Sequence, residues 1–144
     1  MSVYIDTSAM AKRYLNEVSS DGFDAFLSGR DDDFVVSPLT MTELESVLHR
    51  RLRAGEFDRR FLQRTRAALA RDLAGALWQV RPFEPAAFEA ASRLIRELDT
   101  PLATLDALHL ASAVLFGCTD LATGDRQLAR AAQSSGLTVH DFSS

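Results

Sequence analysis

Four acidic residues occupy positions where a carboxylate is costly to local structure. Asp6 and Asp125 each directly follow a short apolar run, and Asp106 is the one acid inside a long apolar helical pattern. Glu43 lies in the first turns of another helical pattern. A carboxylate close to apolar surroundings is unfavourable unless a cation compensates its charge. Four such groups from distant parts of one chain therefore predict a shared cation.

The expected cation is Mg²⁺ or Mn²⁺, because carboxylates without clustered histidine or cysteine select hard ions. Cys118 is the only cysteine, which excludes an internal disulfide and a cysteine metal site. Beside a phosphate substrate, such an ion can ionise a water and stabilise charge on the leaving oxygen. The pattern predicts metal-assisted hydrolysis of a phosphodiester bond.

Short apolar runs alternate with helical patterns, which is typical of an α/β fold with a central parallel sheet. We expect four to five strands, flanked by helices in a doubly wound arrangement, within one domain over residues 1–144. The predicted strands are 3–5, 34–36, 77–80, 121–123 and a short fifth near 137–139. The predicted helices are 8–15, 21–29, 39–54, 57–75, 85–98, 103–116 and 126–135.

Asp6 and Asp125 have equivalent places in this scheme, directly after a strand and directly before a helix. That position is the carboxyl edge of a parallel sheet, where ligands bind. Each could also simply cap its helix. Asp106, if buried without compensation, would have a raised pKa. Its alternative is an internal pair with an arginine or with His109, a helical neighbour.

Glu43 has an internal control in Glu45. Either glutamate would be favoured near a helix start by the helix dipole. The two point in directions about 200° apart around the helix. Glu43 has Leu39, Leu44 and Val47 as helical neighbours, so it can border the buried side.

The net charge of −4 conceals a basic segment in the middle of the chain. Its arginines are Arg50, Arg51, Arg53, Arg59, Arg60, Arg64, Arg66 and Arg71. Two interpretations stay open: a solvated helical face, or a surface for phosphates or an acidic partner.

Four segments carry a family resemblance. They are YIDTS at residues 4–8, SP at 37–38 with EL at 43–44, LDALHLA at 105–111, and LATGDRQLA at 121–129. In this order and spacing, over essentially the whole chain, they resemble PIN-domain ribonucleases of the VapC toxin type. The resemblance implies a PIN-like fold and an Mg²⁺- or Mn²⁺-dependent endoribonuclease of a type II toxin–antitoxin system.

The resemblance also assigns roles. Asp6, Glu43, Asp106 and Asp125 would be the catalytic quartet. Asp6 and Asp106 would be direct metal ligands, and Asp125 would bind a second or water-bridged ion. Glu43 would orient or activate the attacking water.

Two hydroxyls and a histidine match further positions of the family pattern. Ser8 and Thr123 would orient water or substrate, with hydrogen bonding at a helix start and a strand end as the alternative. His109 is interpreted as structural.

The implied partners are an RNA substrate and a cognate VapB-like antitoxin, with the toxin itself a homodimer. We expect no membrane association and a cytoplasmic protein, because no apolar stretch is long enough to span a bilayer and no secretory signal is apparent. The antitoxin groove is expected along the hairpin of helices 39–54 and 57–75, whose apolar residues we assign to the core. These are Phe57, Phe61, Leu62, Leu69 and Leu73.

Three rival functions are weighed against this one. A receiver-type phosphoacceptor domain needs adjacent acids after the first strand and a late lysine, but Thr7 follows Asp6 and the only lysine is Lys12. A phosphatase of the haloacid-dehalogenase type needs a second Asp where Ser8 stands. A catalytically inactive PIN-like binding module would not need all four acids.

Overall fold

The structure is a computed structural model that describes all 144 residues. Its strands are β1 (Ser2–Ile5), β2 (Asp33–Val36), β3 (Trp78–Val80), β4 (Asp120–Thr123) and β5 (Thr138–Asp141). Its helices are α1 (Thr7–Tyr14), α2 (Ser20–Ser28), α3 (Pro38–Arg53), α4 (Arg59–Ala74), α5 (Ala86–Glu97), α6 (Thr104–Leu115) and α7 (Arg126–Ser134). Every predicted element is present with ends within two residues. The fifth strand forms, so the sheet has five strands.

All five strands are parallel, in the order β3-β2-β1-β4-β5. The chain builds the sheet outward from β1 in one direction and then returns to add β4 and β5 on the other side. The strand order therefore reverses between β1 and β4, and a crevice opens there at the carboxyl edge. Asp6 and Asp125 follow these two strands, so the predicted fold class and their predicted location are confirmed.

The sheet is covered on both faces, as a parallel sheet must be. Alternate residues of β1 belong to different cores: Val3 and Ile5 pack in one cluster, and Tyr4 packs in the other. The neighbouring strand β2 divides in the same way, with Val35 on the side of Tyr4. Burial on both faces fixes the register of the strands, because a one-residue slip would exchange the two cores.

Glycines follow the ends of two of the helices. Gly117 follows α6 with φ +73° and Gly136 follows α7 with φ +88°. The left-handed region is open to glycine without the steric cost that other residues meet.

The α3–α4 hairpin has one exception to its predicted core. Leu62 is buried, and Phe57, Phe61 and Leu69 pack against the core, but the Leu73 side chain is exposed. Leu73 belongs to the last turn of α4, next to the turn that precedes β3. None of the helices in the structure has the length and apolar character needed to cross a bilayer.

Candidate active site

One cleft of about 500 Å³ opens at the point where the strand order reverses. All four predicted acids line it: Asp6, Glu43, Asp106 and Asp125. They come from the ends of β1 and β4 and from the first turns of α3 and α6. The structure therefore brings together side chains that are up to 119 positions apart in the sequence, which is the difference between 125 and 6.

Asp6 is the most enclosed of the four, with 3% of its surface exposed. Its Oδ1 accepts the Ala9 backbone N–H at 2.9 Å and so caps α1. The Thr123 hydroxyl donates to Oδ2 at 2.6 Å, and the Ser8 hydroxyl lies 2.8 and 2.9 Å from the two oxygens. Burial raises the pKa of Asp6, and His109 and these donors oppose that rise. The capping interpretation is thus correct for Asp6, and the residue also lines the cleft.

Ser8 and Thr123 both act on Asp6. The Ser8 hydroxyl accepts the Gly124 N–H at 2.7 Å, and the Thr123 hydroxyl accepts the Asp125 N–H at 2.9 Å. Ser8 lines the cleft, whereas Thr123 is fully buried and does not reach its surface. These two hydroxyls tie β1 to β4 and fix the orientation of the Asp6 carboxylate.

Only one carboxylate oxygen of Glu43, Oε1, has hydrogen-bond partners in the protein. It accepts the Thr7 hydroxyl at 2.8 Å and is also hydrogen-bonded to His109 Nε2. Burial works to raise the pKa of Glu43, but the hydrogen bonds from His109 and Thr7 outweigh it, and the pKa is lowered. Glu43 is consequently ionised at neutral pH, with Oε2 free of protein partners. Glu45, the control, is exposed and pairs with Arg66 at 2.6 Å instead.

His109 does not make the pair with Asp106 that the alternative interpretation allowed. Its Nε2 contacts Glu43, and its Nδ1 lies 2.7 Å from the Tyr4 hydroxyl. The His109 side chain is buried against β1, so helical spacing alone did not identify its partners. His109 is a component of the cleft wall that supports Glu43.

Asp106 makes no side-chain hydrogen bond and no ion pair in the structure. Its pKa is raised to about 6, first by burial and then by the negative charges of Asp125 and Asp6. The alternative interpretation, an internal pair with His109 or an arginine, is therefore not realised. Asp106 lies in the first turn of α6 rather than within its packed part, and the neighbouring Leu105 is exposed.

Asp125 caps α7, as the alternative interpretation expected. Its Oδ1 accepts the N–H groups of Gln127 and Leu128 at 2.8 and 3.1 Å. Its Oδ2 has no protein partner. One oxygen therefore fixes the side chain while the other is available to a ligand in the cleft.

The donor set suits a hard divalent cation, since it consists of carboxylate and hydroxyl oxygens. No three acidic, histidine or cysteine side chains converge closely enough to form a ready-made ligand cluster. Magnesium commonly binds through one or two carboxylates and several waters, so such a cluster is not required. The unpartnered Asp106 carboxylate and the free Oδ2 of Asp125 are the groups that fit best.

Three basic residues also line the cleft, together with Glu17: Lys12, Arg50 and Arg51, which we call the basic wall. The two arginines belong to the segment whose role the sequence left open, whereas sequence reasoning gave Lys12 no role. Lys12 is four residues after Ser8 and thus on the same face of α1. That spacing was the signal that could have identified it.

Comparisons with known proteins agree with this geometry. A sequence model of the PIN domain matches residues 3–134. No curated protein matches the chain significantly. The structure is similar to Mycobacterium tuberculosis VapC20, described as a sarcin–ricin loop cleaving toxin, with 18% identity, coverage of 94% and 96% of the two chains, and a TM-score of 0.71.

Two further similar structures are complexes. VapBC2 from Rickettsia felis, bound to a DNA fragment from its promoter, is 14% identical over 99% of both chains, with a TM-score of 0.68. DNA-bound VapBC from Salmonella typhimurium is 19% identical, with coverage of 99% and 98% and a TM-score of 0.64. At these identities the likeness shows the fold.

Proposed function

We propose, from the premise that this chain belongs to the PIN domain family, that it is a metal-dependent endoribonuclease of the VapC toxin type. The observation that carries the proposal is the cleft that four acids line, one of them without any partner in the protein. An active nuclease needs that uncompensated negative charge to attract a divalent cation, whereas an inactive binding module has no use for it.

Asp106 and Asp125 would hold Mg²⁺ or Mn²⁺, with Asp6 as the third acid of the site. The bound ion would supply Lewis-acid stabilisation of charge at the scissile phosphate. Ser8 and Thr123 orient Asp6 and oppose the rise in its pKa, because both hydroxyls donate to its oxygens. In this proposal Ser8 and Thr123 are positioning residues that act on the reaction only by orienting Asp6.

Glu43 would accept the proton of the attacking water. Its lowered pKa keeps the carboxylate ionised, and Oε2 is free to take a hydrogen bond from water. The Thr7 hydroxyl and His109 fix Oε1 and therefore the direction in which Oε2 points. A fixed base in reach of the nucleophile is what general-base catalysis requires.

We base the proposed substrate class and partners on the similar structures. One of them is described as a toxin that cleaves the sarcin–ricin loop, and others are toxin–antitoxin complexes. We infer that this chain acts on RNA in the cytoplasm as one PIN domain over residues 1–144. It would form a homodimer and be neutralised by a VapB-like antitoxin.

The experiment is a cleavage assay on total RNA with Mg²⁺, with Mn²⁺ and with EDTA. We expect discrete internal cuts in the presence of either ion and none with EDTA. Intact RNA under all three conditions, from protein shown to be folded, would contradict the proposal. Purification of the chain together with the product of a neighbouring gene, and loss of cleavage in that complex, tests the antitoxin.

A further inference from the structure

The arginine-rich hairpin divides into two parts in the structure. Of its eight arginines, Arg50 and Arg51 line the cleft, and the other six do not. Arg66 is engaged elsewhere, with Glu45 at 2.6 Å and His49 at 2.8 Å. The two cleft arginines occupy the last turn of α3, the helix whose first turns carry Glu43. One helix therefore contributes to both the acidic and the basic wall.

Lys12 extends the basic wall toward the acids. Its side chain passes beside Gly124 and Ser8, since a Cβ built on Gly124 would lie 3.0 Å from Lys12 Cε and 3.3 Å from Ser8 Oγ. The Lys12 side chain is 10% exposed. Its ammonium donates to the Val18 carbonyl at 2.7 Å, while the nearest carboxylate oxygen, from Glu17, is 3.9 Å away. An ammonium has three donors, so an enclosed cation faces the cleft with donors unused.

Glu17 partly neutralises the positive charge of the basic wall in the structure. One of its oxygens is hydrogen-bonded to Arg51 Nη2, and the other is the oxygen 3.9 Å from Lys12 Nζ. Arg50 has no ion pair in the structure and is exposed. Carboxylate and phosphate make the same kinds of charge-assisted hydrogen bonds to guanidinium groups. The Glu17 carboxylate therefore lies where a phosphate oxygen could replace it.

We propose that Lys12, Arg50 and Arg51 form a subsite for a backbone phosphate of RNA that flanks the cleaved bond, and that the Glu17 carboxylate occupies this subsite until RNA displaces it. The inference rests on the proposed function and adds the residues that hold the strand. A strand crossing the cleft brings its other phosphates near four acids, which repel them. The cations of the basic wall offset that repulsion and fix the register of the strand.

The test measures binding of single-stranded RNA by fluorescence anisotropy in EDTA, over a series of salt concentrations. Arg50→Gln and Arg51→Gln should each weaken binding about tenfold at low salt. Each should also reduce the slope of log K against log salt by about 0.7, the value for one lost phosphate contact on a single strand. Glu17→Gln should tighten binding about three- to tenfold, because it removes the competing carboxylate.

Matched controls distinguish a localised phosphate subsite from general electrostatic attraction between RNA and the arginines. Arg60→Gln removes the same charge from an exposed position on α4 outside the cleft, and we expect unchanged affinity and slope. Glu45→Gln frees Arg66 on the outer side of the hairpin, as Glu17→Gln frees Arg51, and should not tighten binding. Melting temperatures verify that each variant is folded, and the exposed Arg50 keeps the test possible if Glu17→Gln is unstable.

Several results would overturn the subsite. They are unchanged binding in Arg50→Gln and Arg51→Gln, equal losses in Arg60→Gln, or equal gains in Glu17→Gln and Glu45→Gln. A fourth is a loss confined to binding of an acidic antitoxin peptide, with RNA binding unchanged. Because binding is measured without metal, it is independent of cleavage. A protein that shows the predicted binding but never cuts RNA would contradict the nuclease proposal and leave the subsite standing.

Discussion

The imidazole Nε2 of His109 is hydrogen-bonded to the carboxylate of Glu43, although 66 positions separate the two residues. The second ring nitrogen lies 2.7 Å from the hydroxyl of Tyr4, which lies 3.2 Å from the Ser37 hydroxyl. His109 is therefore fixed at both nitrogens inside the core. Through it, the first strand of the sheet sets the direction of a carboxylate in the cleft.

The first prediction treats His109 as a positioning residue. His109→Leu should lower kcat about 10- to 100-fold, the range seen when a supporting hydrogen bond behind a reactive group is lost. His109→Gln should recover most of that loss, because its carboxamide can still donate to Glu43. Steady-state RNA cleavage by the two variants measures the difference. Equal activity in both variants, with both folded, would show that the donor to Glu43 has no catalytic effect.

The second prediction concerns the stability of the protein without metal. The folded-state pKa of Asp106 is about 6, above its usual value, so folding favours the protonated acid. The contribution of Asp106 to the free energy of unfolding should therefore fall as pH rises from about 4 through about 6. Asp106→Asn should raise the free energy of unfolding at pH 7.5 in EDTA by about 1 kcal/mol, a value discounted for a half-exposed site. Urea unfolding of both proteins at pH 5 and pH 7.5 checks this, and the difference between them should be smaller at pH 5.

Asp99→Asn is the control for that comparison, since Asp99 is exposed and lies outside the cleft. Millimolar Mg²⁺ should raise the melting temperature of the natural protein and of Asp99→Asn, but not of Asp106→Asn. If Asp106→Asn is the least stable of the three in EDTA, the carboxylate is compensated by something the structure does not contain.

The third prediction separates two roles of Asp6. Asp6→Asn keeps an oxygen acceptor for the Ala9 N–H, so the cap of α1 should survive and the loss of stability should be smaller than in Asp6→Ala. Asp6→Ala removes the cap and leaves the donors of Ser8 and Thr123 without an acceptor. It should lower the free energy of unfolding by about 1–3 kcal/mol. Denaturant unfolding decides between equal and unequal losses; equal losses would contradict the capping role.

The fourth prediction uses Gly124, where the backbone approaches α1 closely. An added Cβ would lie 3.3 Å from the Ser8 carbonyl oxygen and 3.0 Å from Lys12 Cε. Gly124→Ala should therefore displace the Lys12 side chain and cost about 1–2 kcal/mol of unfolding free energy. Gly22→Ala is the control: it lies within α2 with open space around it, and should stabilise by about 0.5–1 kcal/mol. If Gly124→Ala is as stable as the natural protein, the Lys12 side chain and the Ser8 backbone can move away from the added methyl group at no cost.

Much of this architecture could be predicted because local signals agree with the tertiary structure. The apolar runs of β1 and β4 are buried on both faces, so they lack the alternation of a half-exposed strand and identify a parallel sheet. An acid directly after each run then lies at the carboxyl edge by topology alone. The placement of Asp6 and Asp125 required no knowledge of distances.

The partners of the site residues could not be predicted in the same way. Helical spacing made His109 a neighbour of Asp106. In the structure, the imidazole instead contacts Tyr4 of β1 and Glu43. A second buried acid, Asp120, could not be identified from the sequence. It is the first residue of β4 and so lies at the amino edge of the sheet, away from the cleft. There His140 contacts it at 2.7 Å and Arg30 at 3.6 Å. Pairings across strands and helices depend on packing, which sequence spacing does not encode.

The most direct measurement is the metal-dependent cleavage of RNA by the natural protein, Asp6→Asn, Asp106→Asn and the control Asp99→Asn, all shown to be folded. We predict that the natural protein and Asp99→Asn cut RNA with Mg²⁺ and stop with EDTA, and that the two cleft variants are inactive. Full activity in either cleft variant, or cleavage that persists in EDTA, would contradict a carboxylate metal site as the source of the chemistry.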